Sequence, residues 1–242
     1  MMKALIKKID FLARTTLIVI VTVLFAFQEI FQIKIFKLKN LSYKNARVWS
    51  KWLLNLCGAR LKIEYEEESD TKESYIYVSN HSSLYDIPAA IFSIKDNIRL
   101  IYKKELEKIP IFGYCLKVMP YIAIKRENPK EARAGLNEAI SAFKENSSIL
   151  IFPEGTRSET GEVGEFKRGA FFLAKESGKK IIPVGISGTN KILPKGSLSF
   201  NKGDVFVRLG KPLEYKQDMS RIEEKNFIEE LRNEIIRLKN QK

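Results

Sequence analysis

Ser148-Ile149-Leu150-Ile151-Phe152, SILIF, runs directly into Pro153-Glu154-Gly155-Thr156-Arg157-Ser158, PEGTRS. A short apolar run that ends in turn residues suits a strand covered on both faces, as inside a parallel sheet. Parallel strands need crossover connections, usually helices, and helical patterns lie on both sides of this one. Before it, Asn128-Pro129 opens PKEARAGLNEAISAFKEN, with Ala132, Leu136, Ala139, Ile140 and Phe143 along one face. After it, a loop with two glycine-containing turns leads to the helix RGAFFLAKES, closed by Gly178.

The same alternation extends outward. RLKIEYE (60–66), SYIYVSN (74–80), IRLIYK (98–103), YIAIK (121–125), KIIPVGI (180–186) and VFVRLG (205–210) read as strands. Asp86 stands at an expected N-cap, with Pro88 in the first turn of the following helix. The C-terminal stretch carries Phe227, Ile228, Leu231, Ile235 and Leu238 at helical spacing. The fold class expected is α/β: a mixed, largely parallel sheet flanked by helices.

Residues 15–27, TTLIVIVTVLFAF, contain only apolar residues and threonine, and lie between Arg14 and Gln28-Glu29. That core is shorter than the roughly 20 residues of a spanning helix, and no small-x-small cleavage site follows it. A second apolar set, Ile30, Phe31, Ile33, Ile35, Phe36 and Leu38, is interleaved with Lys34, Lys37 and Lys39. Two such pieces predict an N-terminal apolar helical hairpin for membrane attachment; a helix buried against the domain and a single tilted spanning helix are the alternatives. The chain divides in this reading into a membrane-associating segment, 1–58, and an α/β domain, 59–242.

The 42 Lys and Arg against 29 Asp and Glu give a formal charge of +13, which favours an anionic partner. No basic tract interleaved with aromatics and no helix-turn-helix or zinc-finger pattern is present, so nucleic acid is not expected. Anionic membrane lipid is. Cys57 and Cys115 stand far apart, and His81 is the only histidine, so neither a disulfide framework nor a zinc site is indicated. No metal and no cofactor are expected.

His81 sits in Asn80-His81-Ser82-Ser83-Leu84-Tyr85-Asp86. Histidine suits proton transfer near neutrality, and a neighbouring carboxylate can fix its tautomer. The plainer alternative is that His81 ends a strand and Asp86 caps a helix. In open α/β sheets ligands bind beyond the carboxyl ends of strands, where both His81 and the PEGTRS loop fall. A hydrolase using Ser82 or Ser83 lacks a G-x-S-x-G elbow, for which GISGT (185–189) is only a near miss. A non-enzymatic lipid- or nucleic-acid-binding protein is the third class.

With these residues assembled, the chain resembles the glycerolipid acyltransferase family, and within it the enzymes that acylate lysophosphatidic acid. Asn80, His81 and Asp86 match that family's N-H-x-x-x-x-D motif, Phe152–Ser158 its F-P-E-G-T-R-S motif, and Ile182-Pro183-Val184 its apolar-Pro-Val segment. Phe166-Lys167-Arg168-Gly169-Ala170 resembles the basic segment that follows, whereas PYIAIKR (120–126) keeps Ile124 and Arg126 but has Pro120 for glycine and Ala123 for an aromatic. The resemblance covers roughly residues 60–210. It implies acyl transfer from acyl-CoA or acyl-acyl carrier protein to the sn-2 hydroxyl of lysophosphatidic acid, giving phosphatidic acid. It makes His81 the general base and Asp86 its orienter. Arg126, Glu154, Gly155, Thr156, Arg157 and Lys167 would bind the acceptor, with Arg126 and Arg157 on the phosphate. Pro183 and Val184 would be core or acyl-pocket lining. It also implies a cytoplasmic membrane location with the catalytic domain on the cytoplasmic side, and leaves glycerol-3-phosphate and other lysophospholipids as alternative acceptors.

Overall fold

At the centre of the computed structural model, β2 (Ile76–Ser79) lies between β5 (Ser148–Ile151) and β6 (Ile181–Ser187), parallel to both. Beyond β5 follow β3 (Ile98–Lys103) and the short β4 (Ile122–Ile124), also parallel. Beyond β6, β7 (Gly203–Leu209) runs antiparallel to it and pairs in parallel with β1 (Ala59–Tyr65). The seven strands form one mixed, mostly parallel sheet in the order β1-β7-β6-β2-β5-β3-β4. The structure describes all residues except Met1, Thr71, Arg126, Lys195, Leu198 and Lys242, and only the backbone of Lys3, Ala4 and Pro129.

The pleat divides each strand between two cores. Tyr77, Leu150 and Ile182 face the helices α1 (Met2–Phe36), α2 (Ser42–Cys57) and α3 (Asp86–Ser93). Ile76, Ile149, Ile151 and Ile181 face α5 (Pro129–Ala142), α6 (Gly169–Ser177) and α8 (Arg221–Asn240). Two short helices, α4 (Phe112–Val118) and α7 (Thr189–Ile192), complete the set among the described residues. Fully burying one of these side chains contributes about 1.5–3 kcal/mol, so the two-sided strand β5 anchors both layers. Local signals set the helix ends. The Asn128 side chain accepts from the N–H groups of Lys130 and Glu131, and Gly178 takes φ 65° after α6. Asp86 is the first residue of α3 rather than its cap, which is Tyr85.

The N-terminal hairpin exists, but its turn lies elsewhere than the sequence predicts. Residues 15–27 and 30–36 belong to one continuous helix of 35 residues, α1. Gln28 and Glu29 do not interrupt it, because both are good helix formers and one oxygen of the buried Glu29 finds a partner on the next helix, where Asn45 Nδ2 donates to Oε1 at 2.5 Å, while Oε2 is buried without one. The chain reverses at Lys37, with φ 59°, and a 3₁₀ turn over Lys39–Leu41 leads into α2, the second arm. Trp49 of α2 stacks on Phe25 and donates its indole N–H to Thr22 of α1 at 3.2 Å. α1 is long and apolar enough to cross a membrane. Leu5, Ile9, Leu17, Leu24, Phe31 and Ile35 leave its outer face apolar and exposed, a surface of the kind that meets a membrane or a partner.

Candidate active site

Strands β2 and β5 are neighbours, yet β2 leads to α3 on one face of the sheet and β5 leads to α6 on the other. The chain therefore parts at their carboxyl ends and opens a crevice, the usual ligand position in open α/β sheets. His81 follows β2, and Pro153-Glu154-Gly155 follows β5, so the two sequence motifs meet across that crevice.

Asn80 fixes the end of β2. Its amide donates to Ile186 O at 2.9 Å and accepts from Ile186 N at 2.7 Å, like one further rung of the ladder to β6. The His81 backbone is clamped on both sides: its N–H donates to Glu154 Oε1 at 2.6 Å, and its carbonyl accepts from Ser158 N at 2.8 Å. The imidazole stacks on Phe152, ring centroids 4.4 Å apart. Its Nδ1 lies 2.9 Å from Asp86 Oδ2.

Asp86 is fully buried. Oδ2 also accepts the N–H groups of Ser82 and Ser83, at 2.6 and 2.8 Å, and Oδ1 accepts the Thr189 hydroxyl at 2.5 Å. An ionised carboxylate is an acceptor only, so Nδ1 carries the proton of the His–Asp bond. Nε2 is then left as the acceptor nitrogen. The Asp86 side chain orients the histidine and gathers the N–H groups of Ser82 and Ser83 ahead of α3; it does not cap that helix.

Glu154 Oε2 accepts Gly164 N at 3.0 Å, so the carboxylate ties the His81 loop to the loop before α6. Burial pushes its pKa above the usual carboxylate range, and the Gly164 and His81 N–H groups offset part of that rise. Gly155 has φ 74°, and a Cβ there would stand 2.9 Å from Lys167 Nζ, so this position suits glycine on both counts. Thr156 and the Lys167 side chain are exposed, and Arg157 is partly exposed. The Arg157 guanidinium has no acidic partner among the described residues, because Glu154 and Asp86 are engaged elsewhere. Arg126 lies outside the described residues. Pro183 and Val184 are buried in β6 opposite Val78 and Ser79, and line neither of the two cavities near His81.

His81 and Phe152 line an apolar cavity of about 620 Å³, whose walls also include Ile18 and Trp49 of the hairpin, Ile91, Leu100, Phe112 and Leu116. Among the described residues no serine hydroxyl or thiol hydrogen-bonds to the imidazole. Burial raises the Cys57 and Cys115 thiols to about 11 and about 12, which removes them as nucleophiles near neutrality. Sequence reasoning did not foresee Thr189, or Phe152 as the surface on which the imidazole rests. Thr189 follows Gly188, φ 89°, at the carboxyl end of β6. A glycine turn at the sheet edge that also carries His81 was the available signal.

The site is thus a buried carboxylate holding an imidazole, with an apolar cavity alongside and no protein nucleophile bonded to the ring. Such an arrangement can take a proton from a hydroxyl that the protein does not itself supply. The chain belongs to the acyltransferase family, whose model matches residues 60–187. It is similar to the chloroplastic 1-acyl-sn-glycerol-3-phosphate acyltransferase BAT2 of Brassica napus, 37% identical over 160 residues, 65% of this chain and 46% of that one. It is also similar to the 1-acyl-sn-glycerol-3-phosphate acyltransferase of Borreliella burgdorferi, 30% identical over 198 residues, 81% of this chain and 78% of that one. The crystal structure of PlsC, the 1-acyl-sn-glycerophosphate (LPA) acyltransferase of Thermotoga maritima, matches with a TM-score of 0.79 and 26% identity, covering 100% of this chain and 98% of that one. The chain spans about half the length of the first plant relatives, 46% and 42%.

Proposed function

We propose that the protein transfers a fatty acyl group from acyl-CoA or acyl-acyl carrier protein to the sn-2 hydroxyl of lysophosphatidic acid, giving phosphatidic acid. The observation that carries this reading is the His81 imidazole, bonded through Nδ1 to Asp86 and bordering the apolar cavity with no protein nucleophile bonded to it. Nε2 accepts the hydroxyl proton as the oxygen attacks the thioester carbonyl. The tetrahedral intermediate collapses by breaking the carbon–sulfur bond, and the imidazolium returns its proton to the departing thiolate. Asp86 stabilises the imidazolium in between, and base catalysis of this kind contributes about 10²- to 10⁴-fold.

The acyl chain occupies the cavity walled by Ile18, Trp49, Ile91, Leu100, Phe112 and Leu116. Arg157, and Arg126 by its motif, take the phosphate, for which a guanidinium fork is well suited. Glu154 and Gly155 shape the loop, while Thr156 and Lys167 contact the acceptor headgroup. The exposed apolar face of α1 seats the protein on the cytoplasmic membrane, with the sheet on the cytoplasmic side. The excess of Lys and Arg draws it to anionic lipid.

The test presents the purified protein, on anionic vesicles, with labelled acyl-CoA or acyl-acyl carrier protein. Lysophosphatidic acid, glycerol-3-phosphate or lysophosphatidylcholine serves as acceptor, and His81→Ala runs in parallel. Phosphatidic acid formed by the wild type and lost in the variant is the expected result. Transfer only to another acceptor replaces the substrate named here, and activity indifferent to His81 refutes the mechanism.

A further inference from the structure

A second cleft, of about 430 Å³, opens at the same edge of the sheet between β4, β5, α5 and α6. Its walls include Ile124, Leu136, Ile151 and Phe172, and its lining also includes the exposed Arg133, Lys167 and Arg168. Phe152 and Ile101 line both this cleft and the cavity beside His81. The two spaces therefore share a wall, the Phe152 ring on which the imidazole rests.

The cations of this cleft differ from those around them. Lys103, Lys104 and Lys125 are paired with Glu127 and Glu131. Arg133 lies over the Phe172 ring at 5.2 Å, and none of Arg133, Lys167 and Arg168 has a carboxylate partner among the described residues. Three unneutralised charges beside apolar walls fit a ligand with a hydrocarbon body and an anionic end.

The side of the sheet decides which ligand. The first cavity is walled by α1, whose outer face is apolar, whereas the second lies under α5 and α6, away from the hairpin. A ligand entering there arrives from water. Of the two substrates that the acyl-transfer reading requires, the water-borne one is the thioester donor, and both of its carriers end in the same arm. The geometry points to the second cleft as the seat of the donor's phosphopantetheine arm, an assignment that rests on that reading. The dimethyl and methylene segments lie on the apolar wall, and the arm's phosphate meets Arg133 and Arg168, while Lys167, on the Gly155 side of the cleft, is left to the acceptor headgroup. The thioester spans Phe152, with its acyl chain in the first cavity, and the free thiol leaves through the cleft.

The test uses the full chain carrying Arg133→Glu and Arg168→Glu, both exposed positions, with thermal melting to verify the fold. Donor KM is expected to rise about tenfold or more for acyl-CoA and acyl-acyl carrier protein alike, while KM for lysophosphatidic acid stays put. A rise confined to acyl-CoA would assign the cations to its nucleotide and overturn the shared-arm assignment. An unchanged donor KM, or a rise in acceptor KM instead, would also overturn it. Calorimetry with coenzyme A and with phosphopantetheine on His81→Ala, with and without the two reversals, gives a readout independent of turnover. Should the wild type fail to acylate lysophosphatidic acid, the acyl-transfer reading fails by itself. Binding of both probes that the reversals weaken supports the cleft assignment, and binding indifferent to them refutes it.

Discussion

The Thr189 hydroxyl, 103 residues along the chain from Asp86, donates at 2.5 Å to the carboxylate oxygen that faces away from His81. Both residues are fully buried. The bond fixes the carboxylate's rotation, and with it the direction in which the imidazole points. Hydrogen bonds to charged groups contribute about 1.5–3 kcal/mol, so Thr189→Val should lower kcat by about ten- to a hundredfold with little change in KM. Thr189→Ser, which keeps the hydroxyl, should restore most of it. Parallel kinetics on the two variants check this, and equal losses in both would assign Thr189 to packing alone.

Glu154 links two loops through backbone donors. Glu154→Gln replaces one acceptor oxygen by a donor and leaves either the His81 or the Gly164 N–H without its partner. The expected loss is about 1–3 kcal/mol of stability, together with a fall in kcat as His81 loosens. Denaturant unfolding and steady-state rates measure the two.

The same carboxyl gives a pH dependence of defined sign. Its pKa is raised in the folded protein by burial, so between the ordinary glutamate value and the raised one the native state binds more protons than the unfolded chain. Its contribution to stability therefore falls as pH rises through that window. Glu154→Gln abolishes this component of the slope. Urea melts at closely spaced pH values across the acidic range compare the two slopes.

Gly155→Ala places a methyl group in the left-handed region at φ 74°, 2.9 Å from Lys167 Nζ. The backbone strain costs about 1–2 kcal/mol, while the flexible lysine end moves aside. Melting temperature should fall modestly and acceptor KM should rise more than donor KM. A change in neither would separate this loop from the acceptor.

Leu17, Leu24 and Phe31 repeat every seven residues on α1, and all three are exposed. Replacing them together by serine removes apolar area worth about 1.5–3 kcal/mol per side chain. Sedimentation with anionic vesicles should fall by about a thousandfold or more in partition coefficient, with circular dichroism unchanged. Retained binding would shift membrane attachment to the basic surface.

The alternation of strands and helices was legible because SILIF and its flanking helices carry local signals: Asn128 as cap, Gly178 as stop, an apolar run between. The pairing of His81 with Asp86 was legible because they stand five positions apart. The position of the N-terminal turn was not. Gln28-Glu29 looks like an end when read along the chain, and the bond from Asn45 to one oxygen of the buried Glu29 comes from the opposing helix, out of reach of a local reading. Thr189 escaped for a related reason: its partner is remote in sequence, and the register that joins β6 to β2 leaves no trace in either segment alone. Phe152 was visible as a motif residue, but its contact with His81 depends on two loops meeting from opposite faces of the sheet.

A resting site whose histidine is bonded, among the described residues, to no serine or thiol lacks the activated hydroxyl or thiolate that covalent hydrolase probes require. Fluorophosphonates and chloroacetamides, which report on serine and cysteine hydrolases by becoming attached to them, should leave this protein unmarked at full activity.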